Sequence, residues 1–377
     1  MLRLARLLTG TLLPDELEES DLLKLALNAQ RHGTAAMFYW RLNRAGLGRL
    51  AFGSGSVQRA HFKQAHNYLE RKDAFAKIHA ALETANIPAI WLKGFALAHS
   101  VYPNPALRSM RDLDVLVPNA QKETALALVQ ELGYQLEVPA HTQATQDMWH
   151  HFHLRGRVTL ELHYGLIGLR SKILPAPALT WFRAQTRELD CGGTKFIAFL
   201  PEAELLYLCA HAILQHGETE FLLHRYLDLH LLIEKNPLLN WNLILERAAE
   251  LHWTYAVQRA LEITRAYFGT ILPENLLNEL QTRARGENDQ HIGLFVAPDA
   301  TRLEATRSFM RAMTLAEKWK WFWSSLFPTP AFLRWRYRTR AGWQVPFFYF
   351  YRWFVILRDV LQTMLKWVCH KLVCMEQ

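Results

Sequence analysis

The stretch 107–117, LRSMRDLDVLV, sets two carboxylates, Asp112 and Asp114, one residue apart within an apolar run. On a strand, residues two apart project from the same face. Both acids would then point one way while Leu113 and Val115 point into a core. Two carboxylates on one patch repel each other unless a positive charge lies between them. A hard divalent cation such as Mg²⁺ meets that need and brings phosphate chemistry with it. A third acid follows in 159–164, TLELHY, where Glu161 and His163 share one face and Leu160 and Leu162 the other. The competing reading of each acid is a solvated strand edge.

Other elements must position these acids. An apolar strand over 87–92 ends in Lys93-Gly94 and leads into a helix over 94–101. Gly94 lets the backbone come close to a phosphate, with the N–H groups of the helix start behind it. Lys93 beside it can pair with phosphate or simply be solvated. Tyr102-Pro103-Asn104-Pro105 forms a stiff loop, 112–117 a second strand ended by Pro118, and 121–132 a helix closed at Gly133. A third strand is expected over 134–138. Residues 148–154 and 158–164 read as a hairpin turning at Arg155-Gly156, which puts His150 opposite Glu161. A one-residue slip in register would undo that pairing. Arg108 and Arg111 stand just before the acids, where a guanidinium fork can neutralise phosphate or form a salt bridge.

In this order of parts, LKGFALAHSVYPNPALRSMRDLDVLV followed by LELHYGL, the sequence resembles the nucleotidyltransferase superfamily related to DNA polymerase beta. It is more closely similar to a group of uncharacterised bacterial nucleotidyltransferases, over roughly residues 80–235. The resemblance implies an α+β fold with a small mixed sheet. It also implies metal-dependent transfer of a nucleoside monophosphate from an NTP donor to an acceptor that the sequence does not identify. Asp112 and Asp114 are then the metal-bridging pair and Glu161 the third acid, with Mg²⁺ as the cofactor and Mn²⁺ as its alternative. Lys93, Gly94, Arg108 and Arg111 would attend the nucleotide, Arg108 being the arginine that matches the closer group. His163 shares the face of Glu161 and would touch substrate or orient that acid, and His150 would touch substrate. His211, His216 and Asp228 are similar to a late His…Asp pattern of that group, and read either as acceptor contacts or as a buried hydrogen-bonded set.

One position departs from the superfamily. Phe95 follows Gly94 where a small hydroxyl residue is usual, which removes a side-chain phosphate contact. That supports a second reading, a catalytically weak or inactive scaffold of the same fold that binds a partner or a membrane surface. The histidines His150, His151 and His153 are not expected to converge on a metal, because neighbours on a strand face opposite ways.

At 377 residues, half of them hydrophobic, the chain can bury a large core and is not disordered. Four regions are expected: N-terminal helices over 1–85, the nucleotidyltransferase core over 86–200, a helical domain over 201–310 and a basic aromatic tail over 311–377. Within them a GSGS turn falls at 53–56, helices at 201–217, 218–234 and 240–268, and a linker at 270–310. The four cysteines lack metal or disulfide spacing and suit a reducing cytoplasm as buried thiols. Acids and Pro14 interrupt the leucine-rich start, so no secretory signal is read there.

The net charge of +8 resides in the tail, where 11 Lys and Arg face 3 acids; the preceding residues balance at 32 against 32. KWKWFW and RWRYRTR alternate cations with aromatics, and the apolar run after them is interrupted by Arg352, Arg358, Asp359 and Lys366. Those charges argue against a membrane span. An anionic membrane surface, packing within the protein, and nucleic acid are the three readings of the tail.

Overall fold

Leucines three and four apart build the first helix, α1 (Leu2–Thr9), whose Leu4, Ala5, Leu7 and Leu8 are all buried. The structure, a computed structural model, describes residues 1–12, 18–47, 56–139, 149–167, 176–216, 221–285, 287, 310, 313–339 and 341–375. Two compact units divide the chain: residues 1–135 with 150–295, and residues 136–149 with 296–377. Three further helices complete the N-terminal part of the first unit, α2 (Glu19–Arg31), α3 (Ala35–Arg44) and the long α4 (Ser56–Thr84). The expected GSGS turn lies mostly outside the described residues.

The core follows as β1 (Ile90–Trp91), α5 (Lys93–Ser100), β2 (Asp112–Leu116), α6 (Lys122–Glu131), β3 (Gln135–Leu136), β4 (His151–Arg155) and β5 (Thr159–His163). The strand expected over 87–92 is thus two residues long, and the helix starts one residue early. A helix, α7 (Ala176–Ala184), and a hairpin, β6 (Thr186–Cys191) with β7 (Thr194–Phe199), then enlarge the sheet beyond expectation. Gly192 and Gly193 both hold positive φ, +62° and +91°, the requirement of a two-residue type I′ turn. The seven strands run β3-β4-β5-β2-β1-β7-β6. β2 lies parallel to β5 and antiparallel to β1, which runs parallel to β7. The sheet is therefore mixed, and the α+β expectation holds.

The register corrects one expectation. In the β4–β5 hairpin His153, not His150, is opposite Glu161, and His151 is opposite His163. The tight connection pairs Arg155 with Thr159, so the turn sits later in the chain than Arg155-Gly156 and slides every partner along.

Past the sheet come α8 (Pro201–Ala210), α9 (Leu223–Lys235), α10 (Trp241–Glu250), α11 (Thr254–Phe268) and α12 (Leu276–Ala284). Pro201 at the helix start and Glu202 and Glu204 in the first turn suit the N-terminus of α8. The single helix expected over 240–268 is two, separated where His252 takes φ +56°. The expected linker is helical over α12, because Leu276, Leu277, Leu280 and Ala284 present one buried face. Helices and sheet share one hydrophobic core, running from Leu4 to Leu280. Cys191 and Cys209 are buried free thiols, as expected.

The second unit holds α13 (Leu315–Leu326), α14 (Pro330–Tyr337) and α15 (Val345–Met375). Thr314 and Glu317 close a reciprocal capping box on α13. Arg352 and Trp353 of α15 donate to the carbonyls of Ser325 and Leu326 at 2.6 and 2.8 Å. Among the described residues no helix is long and apolar enough to cross a membrane.

Candidate active site

Alternation along β2 puts Leu113 and Val115 into the core and leaves Asp112 and Asp114 on the other face. β5 lies beside it with Asp114 level with Glu161 and Leu116 level with His163. Residues level with each other on adjacent strands point to the same side, so three acids and His163 share one face. The sequence reading of these acids as a convergent set matches this placement.

The turn between β1 and α5 supplies the opposite charge. Lys93 adopts φ +48°, unusual for a residue with a side chain. Its ammonium lies 2.7 Å from an Asp114 oxygen and 3.3 Å from Glu161 Oε2. His163 Nε2 contacts the same two carboxylates at 3.0 and 3.2 Å. A side chain at position 94 would collide with Met110, its Cβ coming within 2.7 Å of the methionine Cγ, so glycine is needed there.

Electrostatics divides the acids. Burial, then the charges of Asp114 and Glu161, pushes Asp112 up to about 6. Its carboxylate forms no hydrogen bond or ion pair among the described residues. Burial also works to raise Glu161, but the Lys93 ammonium and the His163 hydrogen bond outweigh it and hold Glu161 well below the carboxylate range. For Lys93 burial opposes the charge, and Asp114, Tyr207, Glu161 and Asp112 together lift it well above the usual lysine range. His163 is raised despite burial and the Lys93 charge, through its hydrogen bonds to Asp114 and Glu161.

The loop before β2 is braced from α4. Gln64 donates to the Arg108 carbonyl at 2.9 Å and Arg71 to the Arg111 carbonyl at 2.7 Å. Arg108 itself is buried and forks onto Asp228 of α9, with Nη2 and Nε 2.6 and 3.1 Å from its two oxygens. Tyr102 donates to the same aspartate at 2.7 Å. Of the two readings of Asp228, the buried hydrogen-bonded set describes its surroundings. Arg111 is exposed and lines the cleft.

That cleft, about 380 Å³, has Lys93, Asp112, Asp114 and Glu161 on its floor. α8 closes one side by passing into a π-helical turn, His211–Gln215, a distortion that often marks functional sites. His211 and His216 line the cleft from there, 3.3 Å apart. Gln30 and Arg31 of α2 also reach it, and no spacing in the N-terminal sequence pointed to them.

The three neighbouring histidines do not all converge, as expected, since His153 is not among the cleft residues, but the alternation argument fails for the other two. His150 and His151 both come to the cleft, with His150 Nε2 3.0 Å from His151 Nδ1. His150 precedes the regular strand, and its carbonyl accepts from both Tyr164 and Gly165, so alternation does not apply to it. Burial, then the neighbouring imidazoles, drives His150 well below its usual range and His151 down to about 3.

Phe95, the departure from the superfamily pattern, is 1% exposed and stacks on Phe75 at 4.4 Å, with Trp91 and Phe196 around it. It belongs to the core beneath α5 and leaves the cleft open.

A Gly turn into a helix, two acids on the next strand and a third on its parallel neighbour define a nucleotidyltransferase core. Residues 16–269 match the family described as "Uncharacterised nucleotidyltransferase", and the chain belongs to that family. No curated protein matches the chain. Two solved structures of the antibiotic-resistance factor ANT(2'')-Ia are similar to part of it. Its solution structure is 16% identical, with a TM-score of 0.35 over 52% of this chain and 96% of that one. Its crystal structure with adenylyl-2''-tobramycin is 15% identical, with a TM-score of 0.36 over 49% of this chain and 98% of that one.

Lys93 makes a direct prediction as the counter-ion of the cluster. Glu161, held low in the folded chain, contributes stability present above the ordinary carboxylate range and lost on acidification; Asp112, raised, works the opposite way between about pH 4 and its value of about 6. In Lys93→Met both acids rise, so the variant should melt lower than wild type at about pH 7 and recover on acidification to about pH 5. Thermal melting at the two pH values checks this, and parallel profiles for the two proteins would remove Lys93 from that role.

Proposed function

We propose that the chain transfers a nucleoside monophosphate from an NTP to a hydroxyl or phosphate acceptor, with divalent metal held by Asp112, Asp114 and Glu161. The observation that carries this reading is the convergence of three carboxylates on one sheet face beside the N-terminus of α5. A set of carboxylate oxygens suits Mg²⁺ or Mn²⁺, and the unpartnered Asp112 is a donor with no other use in the fold. When bound, such ions polarise the α-phosphate and stabilise the attacking and leaving oxygens.

The chain's own residues do the rest. Lys93 balances Asp114 and Glu161 in the protein alone, and its ammonium is the cation best placed to pair with a donor phosphate. Gly94 and the first N–H groups of α5 offer hydrogen bonds to the same phosphates. Arg111 adds a solvated charge at the mouth of the cleft. Arg108 acts through Asp228, fixing the loop that delivers the two acids, and Glu161 lies where an acceptor hydroxyl would be oriented. His163 positions Glu161, and His150 forms the neighbouring wall on the acceptor side.

The competing reading, a scaffold without turnover, draws on Lys93 filling the space between the acids and on the commitment of Arg108 to Asp228. Phe95 leaves the turn without a side-chain hydroxyl for phosphate, which also belongs to this reading. Transfer of label from α-phosphate-labelled ATP, GTP, CTP or UTP to small-molecule, peptide and RNA acceptors separates the two. Wild type should give labelled product with Mg²⁺ or Mn²⁺, and Asp112→Ala/Asp114→Ala should lose at least about a thousandfold. Metal-dependent NTP binding with no product from any acceptor would favour the scaffold, and no NTP binding at all would sink the donor site.

For the tail we propose an anionic membrane surface as the partner. On α15, Phe347, Phe350, Phe354, Leu357 and Leu361 are each more than half exposed and recur at helical spacing, while Tyr349, Arg352 and Trp353 face α13 and the segment after it. An exposed apolar stripe within a segment of charge +8 has the composition of an interfacial helix. Co-sedimentation should be strong with phosphatidylserine vesicles, weak with neutral ones and abolished in Phe350→Asp/Phe354→Asp. Equal sedimentation of wild type and variant would contradict it.

A further inference from the structure

The three-acid site does not use every metal-ligating group in the cleft. His150, His151 and His163 present ligand nitrogens that all lie within 4.8 Å of one another. Their ring centroids are 4.3, 5.0 and 5.5 Å apart. His150 and His163 are 4% and 0% exposed, and the Nδ1 atoms of both are buried without a hydrogen-bond partner. Buried polar atoms without a partner are rare in folded proteins, and a bound ion is one thing that accounts for them.

We infer that His150, His151 and His163 form a transition-metal site, with Zn²⁺ the best-matched ion. Neutral imidazoles select Zn²⁺ and its neighbours over Mg²⁺, which prefers oxygen. Tetrahedral zinc with bonds of about 2.0–2.1 Å sets its ligand atoms about 3.3 Å apart. His150 Nε2 and His151 Nδ1, at 3.0 Å, are already close to that spacing. Strand register explains the set: His151 is level with His163, and His150 joins them because its carbonyl takes two N–H groups where the strand begins. His153 shares the face of His151 but stands outside the cluster.

This site requires no nucleotidyl transfer, so its test is run without nucleotide. The full chain is titrated calorimetrically with Zn²⁺, bound metal is counted by plasma mass spectrometry after dialysis, and Co²⁺ replaces Zn²⁺ to read visible absorption. Wild type should hold one Zn²⁺ and give the intense bands of tetrahedral Co²⁺. His150→Ala and His151→Gln should weaken Zn²⁺ by more than the roughly 10–100-fold typical of a lost second-layer contact, with circular dichroism unchanged. Asp112→Ala should keep Zn²⁺ while losing NTP binding, which separates a failure of this site from a failure of the donor site. No Zn²⁺ on wild type, or equal binding by wild type and both histidine variants, would overturn the assignment.

Discussion

The site depends on one electrostatic constraint: three carboxylates on one face of a buried sheet must share a positive charge. At an effective dielectric near 20, two like charges about 4 Å apart repel by about 4 kcal/mol, enough to spread the strands or protonate an acid. Lys93 meets the constraint from within the chain. Reaching the acids requires a left-handed backbone at Lys93 (φ +48°), which costs about 1–2 kcal/mol for a residue with a Cβ. Glycine must follow so that Met110 can pack against the turn. The short β1, the braces from α4 and the Arg108–Asp228 fork all hold the two chain segments whose charges meet there.

This arrangement gives the cleft two chemically different walls. On one side lie hard oxygen donors and an ammonium, groups whose chemistry suits divalent ions and phosphate. On the other lie neutral, buried imidazoles carried by the β4–β5 hairpin and, beyond them, by the π-helical turn of α8. Glu161 and His163 stand between the walls and belong to both. Helices from both ends of the first unit line the cleft, so acceptor selection would rest on residues far from the acids in sequence.

Much of the acid wall was legible in the sequence, because strand alternation is a local rule. DLD and LEL each announce their faces without knowledge of the fold. What the sequence did not announce depends on distance. The partner of Arg108 is 120 residues away, so it read equally well as a phosphate ligand. Lys93 as counter-ion needed the turn geometry. The misplaced His150–Glu161 pairing came from the exact length of a turn, which shifts every partner in a hairpin. The sequence showed that Phe95 brings no hydroxyl to the phosphate turn, but not that its ring packs toward Phe75 and Phe196, because that helix face is set by the sheet behind it. The β6–β7 hairpin is local in pattern, TRELDCGGTKFIAF alternating around a Gly-Gly pair, but its place in the sheet is set by β1, about a hundred residues upstream.

The most direct measurement is anomalous diffraction from crystals grown with Mn²⁺ and a non-hydrolysable NTP analogue. The account predicts an anomalous peak bound by Asp112 and Asp114, with Lys93 turned from Asp114 to a phosphate oxygen of the analogue. Nucleotide bound elsewhere, with the Lys93–Asp114 pair intact and no metal on the acids, would contradict it.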